Sequence, residues 1–503
     1  MKKDIFLSIL SGLLLILSFP NFNLWMFAWF AFVPLLLALE GCSKRRVFLL
    51  SYLTGAVFWL GTIYWLVHVT LAGMILLVLY LALYFGIFGL IASQSRKLNT
   101  AYCVFFLPAV WVLLEYLRSH LLTGFGWALL GHSQYLNLPV IQVADITGAY
   151  GISFILLMAN AGIKEVIVLL RQSGKRRESA AAILLCLAML GAFFFYGYYR
   201  LNIIKQRSVY ASLRVSVIQG NIAQHLKWRP IAQNYIIRKY LDLSSQAGGG
   251  NPDVMIWPEA SLPAVVEEEP AYFEAARALA EDMRIPLLVG AVTLRDGIYY
   301  NSAFLITSYQ QEFSRYDKLH LVPFGEYVPL KSFFSFLETV VPIGDFRPGR
   351  EYTVFTLPGV RGQGPVRFSV LICFEDLFPQ LSRRFIGKGA DFLVNITNDG
   401  WFGESAAPYQ HLSASVLRAV ENRVPLVRAA NTGVSGFISA EGRIISLVAD
   451  NRGENIFIEG YLNDTIDILR GGPTFYTRFG DLAVLGCFLL AFYGMARILR
   501  ESR

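Results

Sequence analysis

The chain is 503 residues long, and its composition is unusual for a soluble protein, because 55% of its residues are hydrophobic and only 16% are charged. Soluble domains carry about 25% charged residues, so this balance indicates that part of the chain is solvated by lipid. The net charge is +8, and many of the Lys and Arg residues stand in short clusters between apolar runs. That placement is typical of membrane topology signals rather than of a phosphate-binding stripe, and nucleic acid is not an expected partner.

Apolar residues fill roughly the first 200 positions and return at the carboxyl terminus. The first apolar run follows Lys2 and Lys3 and resembles a signal peptide, but no small-x-small cleavage site comes after it. We therefore expect a retained first helix, although this run is short for a membrane span. The sequence predicts an α-helical polytopic bundle of eight membrane helices, at approximately 5–18, 24–40, 47–68, 71–92, 101–118, 150–170, 180–198 and 481–499.

Positive charge is distributed unevenly among the loops between these runs. Lys or Arg occurs at both termini and in the loops at 41–46, 93–100 and 171–179. Neither residue type occurs in the loops at 19–23, 69–71 and 119–149. Because positively charged loops remain on the cytoplasmic side of a membrane, both termini are predicted to be cytoplasmic. The predicted domains are helices one to seven (1–199), an extracytoplasmic domain (200–480), and helix eight with its tail (481–503).

A transporter is the main alternative interpretation of the apolar part. Transporters place ionisable residues within the membrane and often contain internal repeats. The sequence shows no repeat, and the charged residues well inside the predicted spans are Glu115, Lys164 and Glu165. Transport is therefore not favoured, but these residues alone leave it open.

Short β-branched runs separated by helical stretches begin near Leu213. Strand-like runs occur at 214–219, 254–257, 286–292, 300–307, 368–373, 392–395 and 434–438. Helix-like stretches occur at about 231–247, 268–283 and 410–423. Largely apolar strands that alternate with helices predict an α/β or α+β layered domain with covered sheets.

Three short segments of this region carry candidate catalytic side chains. Glu259 follows a strand-like run, Lys318 lies in the segment 316–326, and Cys373 ends an apolar strand. Taken singly, each is more often a structural or surface residue. Together they form a chemical set, because a carboxylate can take the proton of a thiol and an ammonium can stabilise both the thiolate and a developing oxyanion.

The remaining cysteines and histidines do not offer a competing site. Of the five cysteines, only Cys373 belongs to the soluble region, so that region cannot form an internal disulfide. His320 and His411 lack the spacing to further His or Cys residues that a metal site requires. The sequence predicts a thiol enzyme with no metal and no cofactor.

These segments resemble the carbon–nitrogen hydrolase (nitrilase) superfamily, whose signature is a Glu-Lys-Cys triad on an αββα sandwich. The resemblance is closer to the apolipoprotein N-acyltransferase family, in which such a domain is fused to eight membrane helices. It covers nearly the whole chain and is specific because many motifs coincide. The matching segments are 219–222, 227–228, 257–259, 318–329, 373–375 and 395–403, with 124–127 and 131–134 in the membrane part.

The resemblance implies a role for each matching side chain. Cys373 would be the nucleophile, Glu259 the general base and Lys318 the oxyanion stabiliser. Supporting or substrate-binding roles are implied for Trp228, Glu326 and Glu375. The family commonly has Tyr after the nucleophile and this chain has Phe374, so the backbone N–H there can still hold an oxyanion but no tyrosine hydroxyl is available.

The resemblance also implies the reaction and its partners. A membrane phospholipid would be the acyl donor, and the N-terminal α-amine of an S-diacylglyceryl-cysteine apolipoprotein the acceptor, with a cysteine thioester between them. It implies a monomer in the inner membrane of a bacterium, with the catalytic domain in the periplasm. A membrane-anchored amidase or lipid hydrolase is the alternative, because water can resolve the same thioester.

One further segment is a candidate membrane-dipping flap. Residues 331–337 contain Phe333, Phe334 and Phe336 within seven positions, shortly after Glu326. The same pattern also suits an ordinary amphipathic helix packed on the sandwich, so the sequence leaves both interpretations open.

Overall fold

The computed structural model describes residues 2–171, 176–307, 313–323, 325–327, 346–359, 364–469 and 471–501. Its α-helices, in chain order, are α1 (Lys2–Ser18), α2 (Val33–Ala38), α3 (Lys44–Thr62), α4 (Leu71–Gln94), α5 (Thr100–His120), α6 (Leu138–Ile141), α7 (Ala144–Arg171), α8 (Arg176–Lys205), α9 (Gln233–Gly248), α10 (Ala271–Met283), α11 (Pro379–Gly387), α12 (Ala407–Asn422), α13 (Phe475–Phe479) and α14 (Leu482–Arg500). Its strands are β1 (Val209–Gln219), β2 (Val254–Ile256), β3 (Leu287–Arg295), β4 (Ile298–Ile306), β5 (Ser314–Asp317), β6 (Phe355–Leu357), β7 (Val366–Ile372), β8 (Phe392–Thr397), β9 (Leu426–Ala430), β10 (Gly436–Ile438), β11 (Ile444–Leu447) and β12 (Gly460–Leu469). The candidate flap at 331–337 lies outside the described residues.

The chain divides into two units. Residues 1–206, 405–421 and 474–503 form the first, and residues 207–404 and 422–473 form the second. The first unit is helical, whereas all twelve described strands belong to the second.

Five helices among the described residues are long and apolar enough to cross a membrane. They are Leu71–Gln94, Thr100–Thr123, Ala144–Arg171, Glu178–Lys205 and Leu482–Arg500. The other predicted spans coincide with shorter or more charged elements: α1 has 17 residues, 25–38 is a shorter apolar segment, and α3 begins with Lys44. A total of eight spans stays a prediction.

Apolar side chains on the long helices face outward as well as inward. On α4, the exposed fractions of Leu71, Ile75 and Leu76 reach 55%, 46% and 69%. Full burial of one such side chain is worth about 1.5–3 kcal/mol in water, so a water-exposed surface of this kind is unfavourable and a lipid-exposed one is not. The helical unit is therefore suited to a bilayer.

The described strands of the second unit form two six-stranded sheets. The first has the order β12-β1-β2-β3-β4-β5 and the second the order β11-β10-β9-β8-β7-β6. Strands β1, β2 and β3 are mutually parallel, and so are β7, β8 and β9. Helices α9 and α10 contact the first sheet, α11 contacts the second, and the sheets contact each other through β1 with β9 and β4 with β7. This arrangement is an αββα sandwich, as the resemblance to the nitrilase superfamily implies, and it is a layered α/β domain, as the strand and helix pattern predicts.

The apolar core of this unit explains why the strands read as nearly continuous hydrophobic runs. One cluster joins α9 and α10 to the first sheet through Ile236, Tyr240, Trp257 and Val289. In the second sheet every residue of β8 and β9 is buried. Parallel strands covered on both faces have no solvent face to alternate with.

Strand direction determines which side chains share one rim of the sandwich. Glu259 comes three residues after the last residue of β2, and Cys373 directly follows β7. Strand β5 is antiparallel to β4, which is antiparallel to β3, so β5 runs in the same direction as β2 and Lys318 directly follows its end. All three candidates therefore lie at carboxyl ends of strands.

Candidate active site

Glu259, Lys318 and Cys373 lie together at this rim. The Nζ atom of Lys318 is 3.4 Å from Oε1 of Glu259, and the thiol of Cys373 interacts electrostatically with both charged groups. The three residues are 7%, 1% and 8% exposed, respectively. A carboxylate, an ammonium and a thiol, of which the first and last are 114 positions apart in the sequence, thus share one buried site.

The carboxylate of Glu259 is held by donors on both oxygens. Oε1 accepts from Nδ2 of Asn301 at 2.7 Å, and Oε2 accepts from the backbone N–H of Asn398 at 2.9 Å. Asn398 follows β8 of the second sheet and Asn301 lies on β4 of the first. A charged acceptor that receives hydrogen bonds from both sheets has little rotational freedom, so the Glu259 carboxylate is held in a defined orientation.

A second carboxylate, Glu326, completes the surroundings of Lys318. Nζ of Lys318 donates to Oε1 of Glu326 at 3.1 Å and lies 3.0 Å from its Oε2. Asn301 donates to the same Oε1 at 2.9 Å. Burial lowers the pKa of Lys318, but the charges of Glu326 and Glu259 outweigh it and raise the pKa overall. The lysine therefore remains an ammonium at physiological pH.

Cys373 stands on a sharp turn between β7 and a 3₁₀ helix at Cys373–Leu377. Its φ angle is 55°, in the left-handed region that non-glycine residues rarely occupy and that costs of the order of 1–3 kcal/mol. Nδ2 of Asn395 donates to the Cys373 carbonyl at 2.8 Å and helps to hold this turn. Burial and the charge of Glu259 raise the pKa of the Cys373 thiol, whereas Lys318 lowers it, so the resting side chain is a neutral thiol that needs a base.

Glu375 connects the turn that carries the thiol to the segment that carries the lysine. Its fully buried carboxylate accepts from the backbone N–H groups of Ile372 at 2.7 Å, Leu319 at 2.7 Å and His320 at 3.0 Å. The hydroxyl of Tyr316 donates to it as well, at 2.9 Å. Burial raises the pKa of Glu375 to about 7. Its position is that of a brace and not of a reacting group.

The aromatic candidates lie around this polar centre. The ring centroid of Phe374 is 5.6 Å from Nζ of Lys318, a cation–π distance. Trp228 is half-buried and packs with an apolar cluster that includes Ala260, Leu321 and Phe346. Both residues border the site, and neither makes a polar contact with the three central side chains.

Sequence reasoning missed several polar residues of the site. The most important are Asn301, which bridges the two carboxylates, and Arg428, whose Nη1 donates to Oδ1 of Asn395 at 2.8 Å. Arg428 is fully buried and also pairs with Asp376 at 3.2 Å and Asp399 at 3.3 Å. The available signal was a polar residue within an otherwise apolar strand, as in Leu426–Ala430. Within the described ranges, no three His, Cys, Asp or Glu side chains are grouped as a metal site would require.

Comparisons with known proteins match both halves of the chain. A family model described as apolipoprotein N-acyltransferase N-terminal domain matches residues 11–162, and one described as carbon-nitrogen hydrolase matches residues 214–460. Among solved structures, an amidase of the nitrilase superfamily from Nesterenkonia AN1 shares 18% identity, with 56% of this chain and 99% of that chain covered and a TM-score of 0.40.

Relatives that match over most of their length identify the family of this chain. An apolipoprotein N-acyltransferase of Geobacter metallireducens is 39% identical, with 97% of this chain and 93% of the relative covered. Those of Chlorobaculum tepidum and Pasteurella multocida are 32% and 30% identical, with 88% and 97% of this chain and 88% and 95% of the relatives covered. The resemblance seen in the sequence motifs is confirmed, and the chain belongs to the apolipoprotein N-acyltransferase family.

Proposed function

We propose that this chain transfers an acyl chain from a membrane phospholipid, through a thioester on Cys373, to the N-terminal α-amine of an S-diacylglyceryl-cysteine apolipoprotein. This proposal rests on one observation. Glu259, Lys318 and the Cys373 thiol lie together in a buried site, in a chain that also has long apolar helices. The names of the relatives support transfer rather than hydrolysis as the reaction.

In the first half-reaction, Glu259 takes the thiol proton as the sulfur of Cys373 attacks the ester carbonyl of the phospholipid. Among the described residues, Lys318 directs its side-chain N–H groups at Glu259 and Glu326, which leaves one donor for the developing oxyanion. We assign the backbone N–H of Phe374 as a second donor. The C–O bond then breaks, Glu259 returns the proton to the glycerol oxygen, and a lysophospholipid leaves.

In the second half-reaction, the α-amine attacks the thioester carbonyl and gives a proton to Glu259. The C–N bond forms, the C–S bond breaks, and the proton restores the Cys373 thiol. Because Glu259 acts as base and then acid in each half-reaction, one carboxylate serves both steps. Glu326 and Glu375 take supporting roles in this scheme, since their hydrogen bonds hold Lys318 and the two active-site turns.

A lipid substrate explains the union of this site with membrane helices. Moving a chain of about 15 methylenes from the bilayer into water would cost about 12 kcal/mol, at about 0.8 kcal/mol per methylene. An enzyme that acts on such a chain has to shelter it throughout the reaction. We assign Trp228 and its apolar cluster as part of this shelter, because they border the polar centre.

We further propose the topology that the loop charges indicate. The chain would cross the bacterial inner membrane eight times as a monomer, with both termini in the cytoplasm and residues 200–480 in the periplasm. Support comes from the absence of Lys and Arg in the sequence loops at 19–23, 69–71 and 119–149.

The test is an acyl-transfer assay with the full-length enzyme in phospholipid nanodiscs, using a diacylglyceryl-cysteine peptide as acceptor. The wild type is expected to yield N-acylated peptide and lysophospholipid in equal amounts, and Cys373→Ala and Glu259→Gln are expected to yield neither above background. Release of free fatty acid without N-acylated peptide would identify a hydrolase. Undiminished peptide acylation by Cys373→Ala would refute the proposed role of the thiol.

A further inference from the structure

A second buried lysine lies beside the catalytic set and is not used by the chemistry described above. Lys227 is only 3% exposed and lies in a turn after β1, the strand that neighbours β2 in the first sheet. Its Nζ donates to the backbone carbonyl of Glu259 at 3.0 Å. Because β1 and β2 are parallel, this turn shares the rim that carries Glu259.

The hydrogen bonding of Lys227 is sparse for a buried ammonium. An ammonium has three donors, and among the described residues Nζ donates only to the Glu259 carbonyl. Burying a charged group with incomplete hydrogen bonding is costly. A purely structural contact to one carbonyl oxygen would not need a charge, so the charge itself calls for a functional explanation.

The charge balance of the site supplies that explanation. Glu259 and Glu326 share the single ammonium of Lys318. When Glu259 takes the thiol proton, the Cys373 thiolate and Glu326 still place two negative charges opposite that one positive charge. The groups that act electrostatically on Lys227 are the Glu259 carboxylate and the Cys373 thiol. Lys227 is therefore within range of both partners of the proton transfer that starts the reaction.

We propose that Lys227 is a positioning residue of this active site, whose ammonium fixes the main chain of Glu259 and supplies the second positive charge against which the Cys373 thiolate forms. The inference rests on the proposed thiol chemistry of Cys373. It assigns Lys227 no contact with substrate, because its effect passes through Glu259 and through the electrostatic potential at the sulfur.

This role has a characteristic pH dependence. Burial lowers the pKa of Lys227 to about 8, against the opposing influence of Glu259 and Cys373. The stabilising charge is present below that pH and is lost as the pH rises through it. Arginine at this position would keep its charge across the same range, whereas methionine would lack it at every pH.

The experiment measures the rate at which iodoacetamide alkylates Cys373 in the full-length protein between pH 6 and 10, by mass spectrometry of the peptide that contains Cys373. Lys227→Met is expected to slow alkylation about tenfold at pH 7, the effect of one unit of thiol pKa. The difference in alkylation rate between Lys227→Met and the wild type should narrow above pH 8. Lys227→Arg should restore the rate at pH 7 and exceed the wild type at pH 9.

Two further variants separate the contributions. Lys227→Gln keeps a donor for the Glu259 carbonyl but no charge, so it isolates the electrostatic part and substitutes for Lys227→Met if that variant does not fold. Lys239→Met is the matched control. Lys239 lies on α9 and pairs with Glu459 at 2.6 Å, and the alkylation profile of Lys239→Met should follow that of the wild type.

Alkylation requires no lipid, so its outcome is independent of the proposed acyl transfer. A wild type that forms no acyl-enzyme from phospholipid would refute the proposed function and leave the alkylation profiles to decide the role of Lys227. Profiles of Lys227→Met and Lys227→Gln that coincide with the wild type would overturn the inference. A loss that is equal at every pH and is not rescued by arginine would overturn it as well, because a merely structural role behaves in that way.

Discussion

Glu375 illustrates how one buried side chain maintains the geometry of its neighbours. Its carboxylate accepts from backbone N–H groups on both sides of the site, at Ile372 beside Cys373 and at Leu319 and His320 beside Lys318. An ionised carboxylate only accepts hydrogen bonds, so it suits a position surrounded by backbone N–H donors. The relative position of Cys373 and Lys318 therefore depends on this acceptor.

Glu375→Gln is expected to reduce acyl-enzyme formation at least about tenfold. The amide would turn an N–H₂ group toward backbone donors, and an unsatisfied buried polar pair costs about 1–3 kcal/mol. The unfolding midpoint of the full-length protein should fall together with the rate. Glu281→Gln, at an exposed carboxylate on α10 that pairs with Arg277, is the control and should change neither. Full activity of Glu375→Gln would contradict the bracing role.

Asn301 presents a different case, because its amide donates to both Glu259 and Glu326. A hydrogen bond to a charged group is worth about 1.5–3 kcal/mol, and Asn301→Leu removes one from each carboxylate. Thioester formation should therefore slow at least about tenfold, measured as the rate at which the acyl-enzyme appears. A wild-type rate in Asn301→Leu would show that these two hydrogen bonds do not position the carboxylates.

The residues of the site differed in how far the sequence could identify them. Glu259, Lys318 and Cys373 stand in motifs whose chemistry is recognisable, and the structure brings them together. Asn301 and Arg428 stand within apolar strands and gave no chemical signature by themselves. Their partners lie mostly in the turns that follow other strands, such as Glu259 after β2 and Asp376 after β7. Which of these turns meet is a property of the whole fold that no local pattern contains.

At the scale of the elements, the close packing of β3 against the turn that contains Glu259 determines where this carboxylate lies. A Cβ atom added at Gly290 would meet the Pro258 carbonyl oxygen at 2.3 Å and the Glu259 Cα atom at 2.8 Å. Both contacts are with main-chain atoms, which cannot rotate away as the end of a side chain can. Only glycine permits this approach between strand and turn.

Gly290→Ala is expected to lower acyl-enzyme formation by about tenfold to a hundredfold, because a displacement of about 1 Å in a catalytic group can cost that much. Gly387→Ala at the end of α11 is the matched control, since its added Cβ meets nothing within 4 Å. Rates would be compared at equal amounts of folded protein. An unchanged rate for Gly290→Ala would contradict the positional argument.

Element prediction found amphipathic helices and buried strands, including the three-residue strands β2 and β10, but it missed strands at the sheet edges such as β5 and β12. The helices predicted at 231–247 and 268–283 correspond to α9 and α10. Strand β12, at the edge of the first sheet, was not predicted, because the consecutive polar residues Asn463, Asp464 and Thr465 interrupt the alternation that would mark a strand. Strand β5 has four residues, too few for a periodic signal, although it delivers Lys318.

At the scale of the whole molecule, the placement of charge is the main evidence for topology. Arg and Lys occur in the loop that contains Cys42, and the soluble domain is inserted between the seventh and eighth predicted spans. Cys42 is therefore expected on the cytoplasmic side and the soluble domain on the other.

A membrane-impermeant maleimide tests this arrangement in spheroplasts of a Gram-negative host. A cysteine introduced by Asp242→Cys, at an exposed position on α9, should be labelled in intact spheroplasts. Cys42 should be labelled only after lysis. Labelling of Cys42 in intact cells, or protection of the Asp242→Cys site, would contradict the proposed orientation.

The most direct test of the central claim is the isolation of the acyl-enzyme itself. The full-length protein would be incubated with a phospholipid carrying a labelled acyl chain, without acceptor, and then digested and analysed by mass spectrometry. The account predicts one hydroxylamine-sensitive thioester, located on Cys373, that disappears when a diacylglyceryl-cysteine peptide is added. The absence of this adduct, or its persistence in Cys373→Ala, would contradict the account.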